Sequence, residues 1–218
     1  MRVIAGELKG QQLVAPRGWK VRPTSERVRE AVFSSLGARV EGAVVLDLYC
    51  GTGALAIEAL SRGAARATLV DRDTRPALGN VERLGLRDRA ELVRGDAEAW
   101  LAAAARPDGG RYDLVFVDAP YKLADLVARQ LDTHLPGVLA PGGRAVVESG
   151  ARRPLPIAGG AQRSSTRSTS APSPTRTATA PATSRAFSPT CRTCASWAST
   201  RSGSTPGTRR RWPTPATT

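Results

Sequence analysis

A chain of 218 residues, 41% of them hydrophobic, is long enough for one real core, and no run of 18 apolar residues offers a membrane span. Three cysteines do not make a disulfide framework, and MRVIAGELKG shows no apolar run behind a basic start, so a cytoplasmic protein is expected rather than a secreted one. The net charge of +13 is unevenly placed: residues 151–218 hold 11 Arg and no acid, which leaves 21 Lys or Arg against 19 Asp or Glu before them.

From the N-terminus, RVIAGELKGQQLVAP contains two β-prone runs parted by Gly10 and suggests a small hairpin. Ser25 to Leu36 places Val28, Ala31, Val32 and Leu36 at helical spacing, with Gly37 as C-cap. A strand over Ala43–Tyr49 then leads through a glycine loop into a helix over Ala54–Arg62. Strand Ala67–Val70, helix Pro76–Leu84, strand Glu91–Arg94 and helix Ala97–Ala105 follow. Strand Asp113–Val117, helix Leu123–Leu131 and strand Arg144–Glu148 complete the alternation. Short apolar strands alternating with helices predict a doubly wound α/β architecture, a parallel sheet covered on both faces.

The last third has another character. Residues 151–218 hold 25 Ser or Thr and 9 of the 16 Pro. Such a stretch cannot bury enough apolar surface to offset a backbone ordering cost of roughly 1–2 kcal/mol per residue. Disorder is expected from about Gln162 onward. The Arg/Ser/Thr/Pro/Ala vocabulary is what a high-GC gene yields out of frame, so a frameshift near residue 162 is one reading and a basic RNA-binding tail the other. The expected units are residues 1–40 (hairpin and helix), 41–161 (the α/β domain) and 162–218 (the tail).

Ligands of such sheets bind at the carboxyl ends of the strands, where the strand order switches. Four candidate sites fall at four successive strand ends. In Asp47-Leu-Tyr-Cys-Gly51-Thr-Gly53 the two glycines permit a tight turn and close backbone approach to a ligand. GTGALA alone also fits a dinucleotide loop. Asp71, ending TLVD, suits the two hydroxyls of a ribose, and Asp96 in RGDA an adenine edge; each could instead cap the following helix. Strand four ends FVDAPY, and an Asp followed by a prolyl turn and an aromatic suits methylation of an exocyclic amine. There Asp118 and the Ala119 carbonyl would accept the amine hydrogens while Tyr121 stacks on the base. Cys50 reads as a small packing residue, and the Cys191/Cys194 pair lacks partners beyond a single distant His134, so no metal is expected.

DLYCGTGALAIEALSRGA, then VDRD, then FVDAPY resembles the class I S-adenosylmethionine-dependent methyltransferases that act on amino groups. RVIAGELKGQQL and RPTSERVREAVFSSL narrow the resemblance to the RsmD family, over Arg2 to about Ile157. It implies a Rossmann-like class I methyltransferase sheet, S-adenosyl-L-methionine as cofactor, and transfer to guanine N2 of 16S rRNA (the guanine-966 type). It further implies cofactor contacts at Asp47, Gly51, Gly53, Asp71 and Asp96, and catalytic contacts at Asp118, Pro120 and Tyr121. Arg22, Thr24, Arg27 and Arg29 would line the substrate side, although Arg27 and Arg29, two apart, do not share a helix face. The partner would be 16S rRNA in the 30S subunit or an assembly intermediate, met by a monomer with no membrane attachment.

Two departures stand out. Ala119 replaces the first proline of the strand-four motif, and the tail replaces a closing hairpin, which would leave strand five as an exposed edge. The rival classes are a DNA adenine methyltransferase, a nicotinamide-dependent oxidoreductase and a non-catalytic RNA-binding protein.

Overall fold

The computed structural model describes residues 1–15, 25–107, 110–120 and 124–148, with the backbone of 161–164 and 194–198. Helix α1 (Glu26–Leu36) starts where the Ser25 side chain accepts the Val28 N–H at 3.3 Å and ends at Gly37, whose φ is 53°. A short 3₁₀ turn, Gly37–Val40, leads into strand β1 (Val44–Leu48). Helix α2 (Ala54–Ser61), β2 (Arg66–Asp71), α3 (Arg75–Arg83) and β3 (Ala90–Arg94) follow. After them come α4 (Ala97–Ala104), β4 (Tyr112–Val117), α5 (Ala124–Val138) and β5 (Leu139–Glu148).

These five strands are parallel in the order β3-β2-β1-β4-β5. The chain runs outward from β1 through β2 to β3, then crosses back to place β4 on the other side of β1. The switch point therefore lies between β1 and β4, with Asp47 level with Phe116. Alternate residues feed two apolar clusters. Val45, Leu114 and Phe116 face one with α1, α2 and α3, while Leu46, Leu48, Val115 and Val117 face another with α4 and α5. Phe33 of α1 packs on Phe116 with ring centroids 5.6 Å apart, and the Arg62 guanidinium lies 4.9 Å over the Phe33 ring.

The doubly wound sheet agrees with the expectation from sequence; the differences have physical causes. Helix α5 runs past Leu131 to Val138 despite Pro136, because Val127, Leu131, Leu135 and Val138 prolong one buried stripe. The N-terminal hairpin is short: around the bridge of Arg2 to Gln12, the N–H groups of Val3, Gly10 and Leu13 donate to the carbonyls of Gln11, Val3 and Met1, and the backbone between bonds to helix α2. The N–H groups of Ile4 and Ala5 donate to Glu58 at 2.8 and 3.0 Å, and those of Glu7 and Leu8 to the Ser61 carbonyl and hydroxyl. Gly6 has φ of 84°, and a Cβ there would stand 1.8 Å from the Ser61 carbonyl oxygen. That contact accounts for the glycine of R-x-I-x-G.

Strand five is not a bare edge. β7 (Cys194–Ala198) pairs antiparallel with it, Arg144 to Ala198 through Glu148 to Cys194, and β6 (Ala161–Ser164) pairs with β7. Both strands lie in or at the border of the stretch expected to be disordered. The open row of N–H and C=O groups on β5 accepts a partner through backbone bonds, whatever that partner's composition. The remaining residues of that stretch lie outside those described.

Candidate functional site

At the end of β1 the chain turns sharply. Tyr49, with φ of 61°, sits in the left-handed region and starts the turn that carries Cys50 into the glycine loop. Gly51 and Gly53 also have positive φ, 55° and 75°, and they do different work. A Cβ at Gly51 would meet no other atom within 4 Å, so the loop is open there; one at Gly53 would stand 2.9 Å from Leu69 and 3.3 Å from Ile57. Gly51 leaves room for approach from outside, and Gly53 lets the loop pack on the core.

Asp47 is buried beneath this loop, and its Oδ2 accepts the Ala56 N–H of α2 at 3.1 Å. Burial pushes its carboxyl up to about 8; the Ala56 bond opposes the rise, while Asp118 and Asp71 add to it. Asp71, half-buried at the end of β2, accepts the Gly51 N–H at 2.9 Å and the Asp73 N–H at 3.1 Å. It ties the glycine loop to β2 and is not the cap of α3, which begins after Thr74. A carboxylate has about four acceptor positions, so Asp71 retains capacity for further donors. Asp118 is half-buried at the end of β4, and its N–H reaches the Leu48 carbonyl at 3.5 Å, linking the two ends at the switch point. Ala119 is half-buried and Pro120 exposed.

Asp96 is the N-cap of α4, accepting the Ala99 N–H at 3.0 Å, and it holds the Arg72 guanidinium through Nε at 3.2 Å and through Nη2. That guanidinium, together with the cap bond, draws its carboxyl down to about 2. Cys50 is buried in the apolar cluster, and burial raises its thiol above the ordinary value, as suits a packing residue. Among the described residues no cluster of metal-ligating side chains occurs, and no helix is long and apolar enough to cross a membrane.

The two arginines of α1 point opposite ways. Arg27 is exposed, whereas Arg29 is fully buried and donates through Nη2 to the Arg2 carbonyl, near Glu58 and Glu26. Arg29 thus braces the N-terminal segment and has no exposed charge for a phosphate. Arg22, Thr24 and Tyr121 lie outside the described residues. Sequence reading missed Glu58, whose buried carboxylate also accepts the Arg62 Nε–H at 2.8 Å, and Asn80. Each left a signal: one acid in the apolar run ALAIEALS, and one amide on the buried face of α3.

A parallel sheet of this order, with a glycine loop after its central strand and carboxylates at the next strand ends, is a Rossmann-like fold with its candidate site at the switch point. A solved structure from Escherichia coli, yhhF, provisionally named a methyltransferase, is 32% identical; it superposes with a TM-score of 0.63 over 75% of this chain and 89% of its own. The family described as conserved hypothetical protein 95 matches residues 1–170, and the chain belongs to that family. A Bacillus subtilis protein provisionally named rRNA methyltransferase YlbH is 42% identical over 131 residues, 59% of this chain and 71% of that one. Ribosomal RNA small subunit methyltransferase D of Escherichia coli K12 is 36% identical over 124 residues, 56% of this chain and 61% of that one. These names bear out the resemblance to the RsmD family.

Proposed function

We propose that this chain transfers a methyl group from S-adenosyl-L-methionine to the exocyclic N2 of a guanine in 16S rRNA, of the guanine-966 type. The observation that carries the reading is the convergence of Asp47, Asp71 and Asp118 on one open glycine loop at the β1/β4 switch point. The names of the Bacillus and Escherichia relatives support the rRNA substrate.

The residues fit the cofactor. Asp71 and Asp118 neighbour the buried Asp47, whose carboxyl is pushed up to about 8 by burial, a cluster that gains from a ligand bearing positive charge. Gly51 leaves the loop face clear for it. Asp71 would take the ribose hydroxyls, and Asp96, already fixed by its cap bond and by Arg72, would take the adenine edge. The cofactor, when bound, supplies an electrophilic methyl group on a sulfonium.

The rest falls to this chain's residues at the end of β4. A guanine amine is a weak nucleophile because its lone pair is delocalised into the ring. Asp118 and the Ala119 carbonyl accept its two N–H bonds, which localises the lone pair on nitrogen. Tyr121 stacks on the base, which must be splayed out to reach the site. As the new N–C bond forms, an amine proton passes toward Asp118. Catalysis is then mainly positioning for in-line displacement. Arg27, with Arg22 and Thr24, would meet RNA phosphates beside the site.

The test is labelled methyl transfer to unmodified 30S subunits, with naked 16S rRNA and duplex DNA alongside. Label mapped to a guanine N2 is expected on the ribosomal substrate; transfer to DNA alone would replace this reading with the adenine one. Asp118→Ala should abolish transfer while S-adenosylhomocysteine still binds. Loss of both would make Asp118 a structural residue.

A further inference from the structure

We propose that Asn80 is a positioning residue, the joint that locks the glycine loop to the N-terminal segment so that cofactor and substrate binding strengthen one another. The inference rests on the methyltransferase reading above and adds a coupling between its two sites.

Asn80 lies on the inner face of α3 and is 1% exposed. Its Oδ1 accepts the Val14 N–H at 2.8 Å, and its Nδ2 donates to the Val14 carbonyl and to the Thr52 carbonyl, each at 3.0 Å. Arg83 Nη2 donates to the same Oδ1 at 3.4 Å. Both amide hydrogens and the amide oxygen are thus engaged. A carboxamide is planar and rigid, so it cannot turn to improve one bond without breaking another. Val14 and Thr52 are held in one mutual geometry by a single carboxamide.

The two partners matter for where they sit. Thr52 stands between Gly51 and Gly53, so fixing its carbonyl fixes the peptide plane that carries the Gly53 N–H, which donates to the Cys50 carbonyl at 2.7 Å. Val14 closes the N-terminal segment whose Arg2 bridges Gln12 and, through its carbonyl, accepts a hydrogen bond from Arg29 Nη2 of α1, the helix that carries the exposed Arg27. The Val14 side chain is 58% exposed and buries little, so the two backbone bonds to Asn80 are what hold the segment down at that point. A loop settled by the cofactor thereby favours one placement of the segment braced to α1, the helix that would meet RNA through Arg27, and the reverse holds equally, since coupling between two binding sites is reciprocal.

The experiment measures S-adenosylhomocysteine affinity without and with saturating unmodified 30S subunits, for the wild type, Asn80→Ala and Val14→Pro. Val14→Pro removes the N–H that donates to Asn80, besides fixing the backbone at that position, and leaves the bond from Asn80 to Thr52 in place. In the wild type the subunits should tighten binding by about fivefold or more. In both variants the ratio should fall to near one, with Val14→Pro keeping close to wild-type affinity in the absence of subunits. The double variant should be no worse than Asn80→Ala alone. An undiminished ratio in folded variants, or no tightening in the wild type, overturns the proposal.

Amide exchange of the ligand-free protein is the second measurement. Asn80→Ala should speed exchange both at Val14 and at the Gly51 and Gly53 amides, while the core of β1 stays protected. Faster exchange at Val14 alone overturns the joint. A wild type that binds no S-adenosylhomocysteine would sink the methyltransferase reading, and the exchange result would then decide the joint by itself.

Discussion

Burial at the end of β1, with Asp71 and Asp118 as neighbouring carboxylates, pushes the Asp47 carboxyl up to about 8 from an ordinary 3.8. The folded chain therefore holds a proton that the unfolded chain releases across that interval. The stability this group contributes is fully present below pH 3.8 and is lost as pH rises through about 8. A cofactor carrying an ammonium and a sulfonium favours the ionised form, so its binding should release this proton. S-adenosylhomocysteine, which keeps the ammonium, should bind more tightly from pH 6 to 8, by up to about tenfold per unit, and level off above. Calorimetry in buffers of different ionisation enthalpy would count the proton directly. Asp47→Asn should flatten the profile; a flat profile in the wild type would mean that no cation meets Asp47.

At the scale of the element, α4 shows how one side chain opens a helix and holds its neighbour. Asp96 caps α4 through Ala99 and also pairs with Arg72, whose side chain is 73% exposed. Asparagine caps about as well as aspartate, so Asp96→Asn removes only the ion pair and should cost less than about 1 kcal/mol. Asp96→Ala also removes the cap and should cost about 1 kcal/mol more, read from urea unfolding. Equal losses in the two variants would show that the cap contributes nothing. Because the folded carboxyl lies near 2, this contribution is complete above pH 3.8 and is lost as pH falls through about 2.

The same scale separates what was legible in the sequence from what was not. Strands β1 to β4 and their helices announce themselves as short apolar runs alternating with amphipathic ones, and Ser25 and Gly37 mark the real caps of α1. The ends of the first four strands then follow from the alternation, which is why Asp47, Asp71, Asp96 and Asp118 could be named at successive strand ends. Long-range partners leave no period. Nothing local says that Glu58 accepts the amides of Ile4 and Ala5, or that Asn80 spans from Val14 to Thr52. The inward turn of Arg29 was equally hidden, since spacing separates it from Arg27 without saying which of the two faces solvent. The pairing of β7 on β5 escaped because an edge strand recruits backbone, which carries no composition signal.

For the whole molecule the decisive quantity is where its charge lies. Residues 1–150 are close to neutral, and 11 of the 32 cationic residues fall among the last 68 without a single acid. Non-specific attraction to RNA depends on the number of phosphates neutralised, so it should be carried mainly by that last third. Specific recognition should depend on the few cations of the N-terminal unit, of which Arg27 is exposed on α1. The two contributions separate by salt dependence. Replacing Arg209, Arg210 and Arg211 together by serine should lower the slope of log K against log salt by about 2 on single-stranded RNA, at about 0.7 per contact. Transfer to 30S subunits at saturating substrate should then be unchanged. Arg27→Ala should lower the slope by less than about 1 and reduce transfer itself. If the triple replacement leaves the slope alone, the C-terminal arginines do not meet RNA, and the charge of the chain as a whole says nothing about its substrate.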